Sequence, residues 1–220
     1  MKKNDLILIN KSEYITSNKI IQLLKKKFKI NKIGHCGTLD PYASGLLIIC
    51  VGKKTKLASK IINYEKKYIV IAIIGIKSIT DDLDGKIIFY EKNTKKIQKN
   101  KIKHELKIIQ KNKYHKPHLF SSIKHNGTNL YKFARLDIKM KIKNKENKIN
   151  KIKLIEINKK ILIITVTCKH GIYIRSIINE LSECIKAPIC TLKITRLSIK
   201  KYTILNSYNY KDIINNEKVN

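Results

Sequence analysis

Apolar and polar positions alternate and cluster along this chain clearly enough to lay out most of its elements. Residues 6–10 form a short apolar run of strand length, and Thr16, Ser17 and Asn18 follow with side chains suited to cap a helix. Ile20, Ile21, Leu23, Leu24 and Phe28 make one apolar stripe, which predicts a helix over 18–28. Lys25, Lys26, Lys27 and Lys29 sit at its C-terminal end, where the helix dipole favours cations. Residues 46–51 are the continuous apolar run of a buried strand, ending at Gly52, and a helix is expected over 53–62. Two strands, 68–74 and 86–91, flank a turn-rich stretch at 80–85.

The second half continues the pattern. Ile97, Ile102, Leu106, Ile108 and Ile109 among lysines predict an amphipathic surface helix over 97–110, ending before Pro117. Asn126-Gly127 is the favoured two-residue hairpin turn, and 130–136 reads as a short helix carrying Tyr131, Phe133 and Arg135. Residues 139–150 read as a loop or edge hairpin, 152–157 and 162–168 as strands, and Gly171 breaks the second before a helix over 173–185. Pro188 opens a last core strand near 192–199. With no internal repeat and no glycine-serine linker, the expected architecture is one α+β domain over 1–206, with a mixed, mainly antiparallel sheet flanked by helices. Residues 207–220 are thin in apolar side chains and read as a tail.

Composition changes the picture by adding a partner. The chain carries 48 Lys+Arg against 16 Asp+Glu, a formal charge of +32 in 25.6 kDa, which points to a polyanion. AT-rich codon drift onto solvated faces is the other source of that excess, most visible at 139–153, where Lys, Ile and Asn dominate. Five cysteines without a Cys-x-x-Cys pair argue against a disulfide framework or zinc ribbon and suit a reducing cytosol. No apolar run approaches membrane-spanning length, so a soluble, cytoplasmic protein is expected.

Candidate chemistry concentrates in residues 34–56, which hold four of the eight glycines. Such density marks a shaped loop, because glycine serves where backbone takes positive φ or approaches something closely. One carboxylate lies inside it, Asp40, and Pro41 restrains Asp40 toward extended backbone. Residue type alone leaves a turn role for Asp40 ahead of a catalytic one. A second constellation, Lys-His-Gly-Ile-Tyr-Ile-Arg at 169–175, shifts the balance: Arg175 could pair with Asp40 and hold it ionised as a nucleophile requires. The bland reading of Arg175 is a surface arginine on a helix. Asp82, Asp84, Gly85 and Glu91 fall on calcium-loop spacings counted from Thr80, but position 1 is Thr and the flanks are strands, so an acidic hairpin loop is the reading taken.

These residues carry a resemblance. Gly-His-Cys-Gly-Thr-Leu-Asp-Pro-Tyr-Ala-Ser-Gly-Leu-Leu, from Gly34, is similar to the signature loop of the TruB family of tRNA pseudouridine synthases, relatives of the dyskerin enzymes. The likeness extends to the opening strand and helix, to Lys66-Lys67-Tyr68, to the acidic turn 80–85, to the Ser-x-x-Lys-x-x-Gly-x-x-x-Tyr-x-x-Ala-Arg block within 120–135, and to Gly-x-Tyr-x-Arg at 171–175. It implies isomerisation of the T-loop uridine at tRNA position 55 by base flipping, without cofactor or metal. It implies Asp40 as nucleophile, Tyr68 stacked on the extruded uracil and serving in proton removal from C5, and Arg175 as the partner of Asp40. Tyr173 would line the pocket, Asp82 would complete an acidic–basic network, His35 would support the flipped RNA, and Ile194 would pack on the base. Lys56, Lys124, Lys132 and Arg135 are the candidates for phosphate contacts. The implied partner is the tRNA T arm, with no membrane, no obligate protein partner and a monomeric state.

Three departures from the family pattern stand out. Cys36 replaces the usual Thr and raises a rival reading with a cysteine nucleophile beside His35. No PUA-type RNA-binding domain is expected after residue 206. Lys169-His170 precede Gly171 where a smaller polar residue is usual. A tRNA-binding module without catalysis is the alternative from another functional class, and it predicts binding without isomerisation.

Overall fold

The structure, a computed structural model, describes residues 4–90, 97–121, 123–136, 138, 140 and 142–215. In chain order the elements are β1 (Leu6–Lys11), α1 (Ser17–Phe28), β2 (Ile33–His35), β3 (Ser44–Val51), a 3-10 turn (Gly52–Leu57) running into α2 (Ala58–Ile62), β4 (Lys66–Ile74), β5 (Ile76–Ser78) and β6 (Ile87–Tyr90). There follow α3 (Lys99–Lys111), β7 (Tyr114–His115), β8 (Lys124–His125), β9 (Thr128–Asn129), α4 (Leu130–Arg135), β10 (Lys145–Glu146), β11 (Ile149–Asn158) and β12 (Ile161–Cys168). The last are α5 (Ile174–Ile185), β13 (Ile189–Ile199), β14 (Tyr202–Thr203), β15 (Tyr208–Asn209) and α6 (Tyr210–Asn215). The expected helices and long strands are present, except that the first half of the helix expected over 53–62 is the 3-10 turn. Glu91 lies outside the described residues.

The chain forms two compact units, Met1–Ile69 with Lys193–Asn220, and Val70–Leu192. In the first, β3 is paired antiparallel with β1, Leu6 opposite Cys50 through Lys11 opposite Gly45, and with the short β2. β13 runs parallel to β3 where Thr195 meets Ser44 and Arg196 meets Gly45. Residues of β3 after Ser44 are all buried, as its unbroken apolar run predicts. Cys36, Leu46, Ile48, Cys50, Ile61 and Ile199 form a core cluster here. Thr16 caps α1, its side chain accepting from Lys19 N.

The stretch expected to be a tail is in part built structure. β15 pairs parallel with β1, α6 packs on α1, and Ile213 is buried. Edge hydrogen bonds and one anchoring isoleucine suffice where apolar periodicity is too sparse to read.

In the second unit β11 and β12 form a long antiparallel hairpin, with β4 beside β12. α3 packs on β11 and on α5, burying Ile102, Leu106 and Ile109, and Gln110 Oε1 accepts from Ile152 N at 2.8 Å. Asn126 and Gly127, at φ 48° and 81°, make the predicted tight turn between β8 and β9. The pairing is thus mixed and mainly antiparallel, with helices beside the sheets. Among the described residues no helix is long and apolar enough to cross a membrane.

Candidate active site

β2 ends at His35 and β3 starts at Ser44, so the glycine-rich segment is a loop hung between two paired strands. Gly37 and Gly45 take φ of 92° and 105°. A Cβ at Gly45 would stand 2.4 Å from the Arg196 carbonyl oxygen, which no side chain tolerates. Asp40 opens a turn closed by Ala43 N donating to Asp40 O at 3.1 Å, with Pro41 at the position where its fixed φ fits. Ser17 Oγ ties down the preceding residue, donating to Leu39 O and accepting from Leu39 N at 3.1 and 3.0 Å. The half-buried Asp40 carboxylate is therefore carried on a turn whose backbone is fixed on both sides.

Beneath that turn lies Lys11, fully buried. Its ammonium donates to Ser12 O, Ile15 O and Pro41 O at 2.9, 2.8 and 3.0 Å. Burial lowers its pKa from 10.5 to about 8, opposed by the nearby Asp40 carboxylate and reinforced by Arg196. The cation beside Asp40 is thus lost at mildly alkaline pH, and a pH–rate profile is expected to show an alkaline limb near pH 8 that disappears in Lys11→Arg. The unfolded chain holds this proton up to its ordinary pKa, so between about pH 8 and 10.5 this group alone makes stability rise with pH.

His35 is half-buried, and burial together with the Arg196 charge lowers its pKa, leaving the imidazole neutral at pH 7. Its Nδ1 is buried with no hydrogen-bond partner among the described residues. Cys36 is completely buried, its sulfur 3.0 Å from Cys50 Sγ, and that contact and burial push its thiol well above the ordinary range. A protonated, inaccessible thiol is no nucleophile, so the rival cysteine reading falls. Tyr68 is buried in β4 and Ile194 in β13, both in this first unit, while Lys56 is exposed on the 3-10 turn.

Arg175, Asp82 and Tyr173 belong to the second unit. Arg175, on α5, is only 5% exposed, which disposes of the surface-arginine reading. Its Nη1 lies 3.2 Å from Asp82 Oδ2 and donates to Thr80 O, and Nη2 donates to Phe120 O at 3.0 Å. Asp82 Oδ1 also accepts from Thr80 Oγ1 and Asp84 N at 2.5 and 3.0 Å. Gly85 is obligatory, because a Cβ there would meet Thr80 Oγ1 at 2.2 Å. Asp82 is therefore an ion partner of Arg175, and the acidic turn is a structural network between strands. Arg175 and Asp40, expected to form an ion pair, belong to different units. Tyr173 stands at the N-cap position of α5, with no side-chain capping hydrogen bond, and is half-buried. The side chains of Lys124 and Arg135 lie outside the described set, and Lys132 is exposed on α4.

A cavity of about 360 Å³ opens in the second unit, lined by Asp81, Glu180, Glu183, Tyr114, His118 and Phe120 among others. None of the expected site residues lines it, and its carboxylates suit a polyanion poorly.

Comparison with known proteins matches residues 25–174 to a family model described as TruB family pseudouridylate synthase, N terminal domain. The chain belongs to the TruB family. A tRNA pseudouridine synthase B of Francisella tularensis subsp. tularensis is 37% identical over 188 residues, covering 83% of this chain and 62% of that protein. The one from Wigglesworthia glossinidia brevipalpis is 38% identical over 201 residues, 90% of this chain and 61% of its own length. That of Blochmanniella pennsylvanica is 36% identical over 201 residues and is covered to 76%. The chain therefore spans about three fifths of the first two relatives. Among solved structures, a chain of a Cbf5-Nop10-Gar1 complex superposes with TM-score 0.73 at 19% identity, over 97% of this chain and 54% of that one. An H/ACA RNP bound to a substrate RNA containing 2′-deoxyuridine gives 0.68 at 18%, over 97% and 53%. At such identities the likeness establishes the pseudouridine-synthase fold alone.

For a TruB family member, two buried cations around the signature loop went unread in the sequence. Lys11 and Arg196 look like surface residues of a lysine-rich chain, yet both are essentially inaccessible. For Arg196 a signal existed: the chain has only three arginines, at 135, 175 and 196, among its 48 basic residues. Lys11 had none.

Proposed function

We propose that this TruB family chain is a cytoplasmic, monomeric tRNA pseudouridine synthase that isomerises the T-loop uridine at position 55 of tRNA. The observation that carries the reading is the signature loop itself: the family match spans it, and the fold fixes the Asp40 turn from both sides and from beneath by Lys11. In the proposed reaction the T-loop uridine is extruded and Asp40 acts as nucleophile on the nucleoside, and the bond it forms is broken again before the product leaves. The N1–C1′ bond breaks, the uracil turns, a C5–C1′ bond forms, the C5 proton leaves to solvent and N1 gains one. The product is an isomer of the substrate, so the atoms balance with no cofactor.

Tyr68 stacks on the uracil and assists removal of the C5 proton, and Ile194 packs against the base; their burial in the same unit as Asp40 supports both roles. Neutral His35, with an unpaired Nδ1, supports the space vacated by the flipped nucleotide. Arg175 holds Asp40 ionised while Asp82 braces Arg175, and Tyr173 lines the pocket. Lys56, Lys124, Lys132 and Arg135 contact phosphates of the T arm, as the formal +32 charge favours.

Release of tritium from 5-tritiated uridine in tRNA tests the reaction directly. Wild-type protein is expected to release it in step with pseudouridine formation; tRNA binding without release would establish the binding-module alternative instead. Affinity is expected to fall steeply and linearly in log Kd against log salt, because each neutralised phosphate releases counterions. A flat salt response would remove the basic surface from the account.

A further inference from the structure

We propose that Arg196 is the positioning residue of the signature loop: its guanidinium sets the backbone path between Gly37 and Leu46 and keeps a permanent positive charge beneath it. The proposal rests on the reading of that loop as the carrier of the nucleophile Asp40. Arg196 is 1% exposed, and its Nε donates to Leu46 O at 2.7 Å, Nη2 to Gly37 O at 2.9 Å and Nη1 to Thr38 O at 3.4 Å. One rigid plane thus grips the departing and returning ends of the loop together, which a flexible ammonium with a single point of charge does not do. The backbone adds a second grip, since Arg196 pairs with Gly45 in parallel register and leaves no room there for a Cβ.

Burial of a cation against neutral carbonyls is costly, and an apolar side chain of similar volume would avoid that cost. The chain nevertheless keeps the charge, and it keeps it as arginine. Lysine occupies 45 of the 48 basic positions. Of the three arginines, the two whose side chains the structure describes, Arg175 and Arg196, are both buried and both use more than one edge of the guanidinium. At both described positions arginine stands where the planar fork is in use.

The charge also reaches the groups around the loop. After burial itself, Arg196 is the other influence that lowers the pKa of His35; it lowers that of Lys11, and it opposes the upward push on Cys36. Arg196 therefore adds its charge to burial in lowering the His35 pKa while fixing the turn that carries Asp40. A packing residue would do neither.

Two variants and one wild-type measurement test this. Arg196→Lys retains charge and loses the fork; Arg196→Gln loses both. With Arg196→Lys, kcat at saturating tRNA is expected to fall about 10- to 100-fold, as for ångström-scale misplacement of a reacting group, while KM stays within about threefold. The His35 titration midpoint, followed by NMR, is expected to stay in place in Arg196→Lys and to rise in Arg196→Gln. In wild type, the Arg196 Nε proton is expected to exchange with solvent as slowly as the β3 core amides. Wild-type turnover in a folded Arg196→Lys, an unmoved His35 midpoint in a folded Arg196→Gln, or fast Nε exchange in wild type each overturns the proposal. If neither variant folds, the Nε exchange decides. Should wild-type protein release no tritium, the activity reading fails, while exchange and titration still decide the role of Arg196.

Discussion

Asp40→Asn is expected to abolish tritium release, with a loss of about 10⁴-fold or more, the scale on which single nucleophiles act. The substitution is nearly isosteric, and the hydrogen bond closing the turn comes from the Asp40 carbonyl, which asparagine keeps. Asn is also well accepted at the first position of such a turn. Folding stability is therefore expected to change by no more than about 1 kcal/mol, and tRNA binding to persist. Cys36→Ser is the paired control. The Cys36 thiol is inaccessible and its pKa is raised, so the variant is expected to keep most of its activity. Active Asp40→Asn together with inactive Cys36→Ser would reverse the assignment and sink the proposed chemistry.

The pattern of apolar positions placed the long elements well, because β3 and α5 are buried enough to dominate their own sequence. Boundaries were less legible, and physical causes are visible. α1 and α5 end at Lys29 and Lys186 in the left-handed region, at φ 49° and 54°, where glycine or asparagine ordinarily signals the stop. A lysine there carries a strain of about 1–2 kcal/mol and erases the signal. β15 and α6 rest on edge hydrogen bonds and on Ile213, a pattern too thin for periodicity to reveal.

The candidate site divides in the same way. The glycine-rich loop and its one acid were readable from residue types and spacing, since positive φ at Gly37 and Gly45 demands glycine. Lys11 beneath it was not, because a lysine facing inward and one facing water are the same letter. Lys11 looks inward because three carbonyls of the turns beside it need a donor. The acidic turn was readable as a turn, but residue types pointed Arg175 to Asp40 and left Asp82 as an accessory. Within the second unit, Asp82 is an ion partner in its own right.

That pairing sets the second large effect. Arg175→Met is expected to destabilise the protein by about 3 kcal/mol, the low end for breaking a buried ion pair, because the Asp82 carboxylate would be left buried without its cation. Two of its hydrogen bonds, from Thr80 Oγ1 and Asp84 N, remain and keep the cost from the high end. In a domain of this size the melting temperature should fall by roughly 6–12 °C. Adding Asp82→Asn removes the stranded charge, so the double variant is expected to recover part of that loss, whereas independent roles would make the two losses add. Stability recovered in this way does not return the cation that the proposal assigns to Asp40. The double variant should therefore melt higher than Arg175→Met and still release almost no tritium, and recovery of both together would leave Arg175 a bracing residue alone.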